Sequence, residues 1–96
     1  MEGRRVENTG ELEEPGDYAV DYVEGTKEIA VLWFIMPTGL WGRCANKGHA
    51  LLKDGEPTEP EWEIAEDDHG KVTVKPSIEV KSHWHGFLKA GIWSTA

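Results

Sequence analysis

His83 and His85 stand two apart in Glu79-Val-Lys-Ser-His-Trp-His-Gly-Phe-Leu88, a stretch with strand-like alternation. Residues at that spacing in a strand project from one face, so the two imidazoles can chelate a single metal ion. Cys44 and His49, with His69, Asp67 or Asp68, are the side chains that could complete a tetrahedral site, and zinc is the cofactor such a set would take. Zinc sites usually carry two paired sets of ligands, and this chain has one. The plainer reading has no cofactor. In it, Val74, Ile78, Val80, Trp84 and Leu88 share the inward face, and the two histidines lie on the wetter face beside Phe87.

A second constellation is aromatic and basic. Trp41 sits among glycines and Trp93 is nearly terminal, positions where exposed rings suit a protein interface or stacking. With Arg43, Lys47, His83, His85 and Lys89 they could line a pocket for a nucleotide-like anion, or they simply fill the core. Cys44 could act as a nucleophile with a histidine as base, but Gly42-Arg-Cys-Ala45 matches no nucleophile motif, and a lone cysteine is usually a small packed hydrophobe. Glu61, Glu63, Glu66, Asp67 and Asp68 read as a solvated strand face and turn. The Walker loop, G-x-G-x-x-G, H-E-x-x-H, G-x-S-x-G and paired C-x-x-C patterns are all missing, so no catalytic residue is assigned and the chain leans away from being an enzyme.

The elements that would position these groups are strands. Asp17–Val23 alternates, Glu28–Met36 is a continuous apolar run that reads as a strand covered on both faces, and Pro60–Glu66 alternates again. Asp67-Asp-His-Gly70 is a turn into strand Lys71–Lys75. Pro76 marks an edge or bulge before Ser77–Val80, and His83–Leu88 precedes a last turn and Ile92-Trp93. Leu40–Glu59 reads as loop, with a short strand near His49–Lys53. Residues 1–16, charged and poor in apolar side chains, are expected to be a flexible acidic tail on a single domain of residues 17–96. The predicted class is all-β, a small antiparallel sandwich or roll.

Ten basic against 18 acidic residues give a net charge of −8, which speaks against binding a nucleic-acid backbone. The charge is uneven: residues 70–96 hold one acid and four bases, the remainder being strongly acidic. No apolar run approaches the ~20 residues a membrane span needs. The first residues lack an apolar leader core, and a single cysteine fits a reducing compartment, so host-cell cytoplasm is the expected location. An exposed edge near Pro76 allows a homodimer.

Trp62-Glu-Ile64, Val72-Thr-Val-Lys-Pro-Ser-Ile78, His83-Trp-His-Gly-Phe-Leu88 and Gly91-Ile-Trp93 together resemble a family of small bacteriophage proteins of unknown function, a broader group often mislabelled ammonia monooxygenase. Trp33-Phe-Ile-Met-Pro-Thr-Gly39 is similar to that family's central strand and turn. Many relatives look like degenerate zinc ribbons; here Cys44 remains in the first ligand region and Ser82 precedes His83. The resemblance implies a phage origin. The expected function is a non-enzymatic accessory protein that inhibits or redirects a host protein, counter-defence included. The alternatives are a sponge for a nucleotide-type molecule, and a metal-binding protein or metal-dependent hydrolase built on His83 and His85.

Overall fold

The apolar run around Ile29–Ile35 organises the fold. A strand with no polar side needs cover on both faces, and the rest of the chain supplies it. A computed structural model describes residues 1–96 as all-β. The strands are β1 (Arg4–Arg5), β2 (Asp17–Tyr22), β3 (Ile29–Ile35), β4 (Trp41–Asn46), β5 (Leu52–Lys53), β6 (Glu56–Pro57), β7 (Glu61–Glu66), β8 (Val72–Lys75), β9 (Ile78–Val80), β10 (Trp84–Lys89) and β11 (Ile92–Thr95). A curled six-stranded sheet runs β1-β2-β3-β4-β7-β8, a three-stranded sheet runs β11-β10-β9, and β5 and β6 form a small hairpin. The β1–β2 and β4–β7 pairings are parallel, and the remaining ladders are antiparallel. No helix is long and apolar enough to cross a membrane.

The main core lies between the two sheets, where Leu32, Phe34 and Met36 meet Val72, Val74, Ile78, Trp84, Leu88 and Trp93. Trp93 stands at its centre, its ring 5.2 Å from Phe34 and 5.6 Å from Trp84. Fully burying side chains of this size contributes roughly 1.5–3 kcal/mol each, so a small domain can hold together on one aromatic cluster. The other face of β2–β3 is closed by a smaller cluster of Leu12, Ala19 and Ile35, with Val6 and Trp33 packed on it.

Residues 1–16, expected as a loose tail, therefore have a defined place. Val6 and Leu12 provide the second cover that the apolar run of β3 requires. Arg4 pairs with the buried Asp17 at 2.6 Å, and Arg5 reaches Glu66 at 2.6 Å. Met1 donates its ammonium to Trp93 O and accepts from Trp93 N–H, while Gly3 N–H bonds Gly91 O, so Met1–Gly3 lie along the outer edge of β11.

The segment read as loop contains β4, which pairs with β3 from Val31↔Ala45 to Ile35↔Trp41. Its alternation is disguised because its inward residues are small. A Cβ on Gly42 would stand 2.6 Å from the Phe34 ring, so this strand carries glycine where any side chain would collide with that ring.

Candidate active site

β8 belongs to the large sheet and β9 to the small one, so the chain changes sheets at Pro76-Ser77. Pro76 has no N–H to continue the β8 ladder, and Ser77 emerges at the seam. The indole Nε1 of Trp62, on β7, donates to Ser77 O at 3.1 Å and holds the backbone there. β9 and β10 then pair as a hairpin with Trp84↔Val80, His85↔Glu79 and Gly86↔Ile78 in register. Because side chains alternate, the odd-numbered residues Ser77, Glu79, His85 and Phe87 share the outward face, and Ile78, Trp84 and Leu88 enter the core.

On that outward face Ser77 Oγ lies 3.0 Å from His85 Nε2. Among the chain's serines, Ser77, Ser82 and Ser94, this is the one bonded to a histidine. A hydroxyl against an imidazole is the minimal pairing of nucleophile and general base. Glu79, the one acid in residues 70–96, stands directly across the ladder from His85. Phe87 flanks the imidazole with ring centroids 6.5 Å apart, and the Lys89 ammonium lies 5.2 Å over the Phe87 ring. Beside Ser77 opens a cleft of about 500 Å³ lined by Lys47, Glu61, Trp62, Glu63, Lys75 and Pro76. Beneath the dyad the strand is stiffly backed. A Cβ on Gly86 would collide with the Trp84 ring and with Ser94 O on β11, so this position of the strand admits only glycine without a shift.

The residues expected to act together are dispersed. His83 and His85 are exposed as foreseen, but no group of three metal-capable side chains comes together anywhere. Cys44 is fully buried, and burial pushes its thiol up to about 12, too high for a nucleophile at neutral pH. His49 instead faces Glu28 at 3.2 Å. Of the pocket set, Trp93 is buried with its Nε1 donating to Gly16 O, and so offers no ring to a ligand. Arg43 is bound to Glu59 at 3.0 Å and stacked 5.2 Å from Trp33. Trp41 is exposed on the large sheet, in a shallow cleft with Thr9, Gly10, Asp21 and Trp33 that contains neither histidine nor Lys89.

Ser77 stands outside the G-x-S-x-G pattern by which a nucleophilic serine is recognisable in a sequence. Ser77 and His85 share a face because the β9–β10 register sets residues of like parity opposite one another, Ile78 with Gly86 and Glu79 with His85.

A family model described as bacterial ubiquitination-like system serine protease (BubE) matches residues 8–96. The chain belongs to the BubE family. Comparison with curated proteins and with solved structures gave no match. The BubE assignment overturns the reading of the chain as a phage-encoded, non-enzymatic inhibitor of a host protein, along with its nucleotide-sponge and metal-hydrolase alternatives. A family described as serine proteases also reverses the lean away from catalysis and points to an enzyme.

Proposed function

We propose that this BubE-family chain is a serine peptidase of a bacterial ubiquitination-like system, with Ser77 as nucleophile and His85 as general base. The observation that carries the reading is the 3.0 Å contact between Ser77 Oγ and His85 Nε2 on an exposed sheet face. In the resting enzyme the Ser77 hydroxyl donates to Nε2, so the ring proton resides on Nδ1. As Oγ attacks the scissile carbonyl carbon, Nε2 accepts the hydroxyl proton. The imidazolium then returns it to the leaving amine as the C–N bond breaks, leaving an acyl ester on Ser77. Water, deprotonated by the same nitrogen, hydrolyses that ester and releases the carboxylic acid product.

Glu79 supplies the charge for the intermediate step. Directly opposed residues of an antiparallel pair have Cβ atoms about 5 Å apart, so its carboxylate is placed to stabilise the imidazolium that forms on His85. Lys89 is held over the Phe87 ring on the same face.

The test is covalent labelling with a fluorophosphonate probe followed by mass-spectrometric mapping. The modified peptide should contain Ser77, and labelling should vanish in Ser77→Ala and His85→Ala while persisting in Ser94→Ala. Labelling that survives Ser77→Ala overturns the assignment.

A further inference from the structure

The small sheet has two edges that are treated differently. The β11 edge is covered, because Trp93 N–H and C=O are both bonded to Met1. The β9 edge is not: β9 is hydrogen-bonded to β10 alone. Which of its groups face outward follows from the alternation of the antiparallel ladder. Ala96 N–H bonds His85 O, so the backbone of His85 faces β11. The backbones of Gly86 and Trp84 then face β9, where they meet Ile78 and Val80. Glu79 N–H and C=O therefore point out of the sheet, as does Ser77 C=O, the last consistent with its bond from Trp62.

An open strand edge is a template for another extended chain. Here it lies immediately beside the Ser77–His85 pair, and Glu79 is exposed. We propose that the substrate binds as an added strand on β9. One of its residues exchanges both backbone hydrogen bonds with Glu79. The scissile carbonyl falls two residues along, a rise of roughly 7 Å, at Ser77. Residues beyond the scissile bond enter the cleft of Lys47, Glu61, Trp62, Glu63, Lys75 and Pro76. The substrate is thus a polypeptide segment that can lie extended along this edge, such as a flexible tail. This inference rests on the peptidase reading above and names its substrate class.

Glu79→Pro removes the outward N–H, and an outward-facing edge position is where a strand tolerates proline. Glu79→Ala removes the same carboxylate but keeps the N–H, so the ratio of the two variants isolates the backbone bond. The substrate is the best-cleaved member of a randomised decapeptide library. Expected is a KM at least tenfold higher for Glu79→Pro than for Glu79→Ala, with kcat similar in the two and melting temperatures alike. Equal KM values overturn the edge-binding proposal and leave the peptidase intact.

Should Glu79→Pro fail to fold, amide hydrogen exchange decides. In Ser77→Ala, the Glu79 amide should become protected when that decapeptide is added. No protection overturns the proposal, and so does protection that rises with protein concentration alone, which would pair the edge with a second copy of the chain. If no library peptide is cleaved and no fluorophosphonate attaches, the peptidase reading itself fails and takes this inference with it.

Discussion

Cys44 on β4 and Ser77 beside β9 make an instructive pair. Cysteine is intrinsically the stronger nucleophile, and by residue type alone Cys44 is the better candidate. Yet Cys44 is sealed under the large sheet, with its thiol pushed up to about 12 by burial. Ser77 sits at the seam between sheets, half-exposed and 3.0 Å from an imidazole. The environment reverses the ranking: a weak nucleophile with a base and access outranks a strong one with neither. The same contrast separates the two faces of the β9–β10 hairpin, where even-numbered residues build the core and odd-numbered ones include the proposed dyad.

The most severe way to break this comparison is to delete the dyad. Ser77→Ala and His85→Ala should each lower kcat on the order of 10⁴-fold or more, and the double variant should be little worse than either, because the two groups act as one unit. Steady-state hydrolysis of a library-selected peptide reads this directly. Additive losses would show that His85 does not act through Ser77. Next comes Gly86→Ala, which forces a methyl against the Trp84 ring under the dyad. Overpacking of this kind costs about 1–3 kcal/mol, visible as a lowered urea midpoint, and activity should fall with it because the His85 strand must shift.

Cys44 supplies the converse. The native protein should resist a maleimide reagent for hours and react once unfolded, while Cys44→Ala keeps full kcat. Its stability should fall by roughly 1 kcal/mol for the sulfur-sized void. Loss of hydrolysis in a Cys44→Ala protein of unchanged fold would reverse the roles assigned to the two nucleophiles.

How far the sequence carried this picture depends on which side chains are large. β2, β3, β7, β8 and β10 were legible because Tyr18, Leu32, Ile64, Val74 and Leu88 mark the buried face unmistakably. β4 was not, because its inward positions are Gly42 and Cys44, small residues chosen for space beneath Phe34, and the hydrophobic period vanishes with them. The place of residues 1–16 was hidden for a related reason. Val6 and Leu12 are too few to signal a packed segment, and their value appears only once the second face of β3 is known to need cover. The histidines' exposure was readable from alternation. The Ser77–His85 contact was not, since it depends on the register of a hairpin that crosses from one sheet to the other at Pro76.

Asp17 completes the comparison from the side of stability. It is as buried as Cys44, yet its carboxyl is held well below the usual carboxylate range rather than raised. The cause is partnership: Arg4 donates two hydrogen bonds, at 3.0 and 2.6 Å, and the backbone N–H groups of Glu13 and Glu14 donate two more. A group that binds its proton more weakly folded than unfolded stabilises the fold above its unfolded pKa of about 3.9, and that stabilisation drains away as pH falls through the folded value. Asp17→Asn should therefore cost roughly 1–3 kcal/mol at pH 7, the usual penalty for weakening a buried, charge-assisted set of bonds. The gap between variant and wild type should narrow as acid removes the wild-type advantage. Urea unfolding at pH 7 and pH 3 measures both numbers. A gap that stays constant would mean that Asp17 binds its proton equally well folded and unfolded, and that the carboxylate charge is not what fastens residues 1–16 to β2.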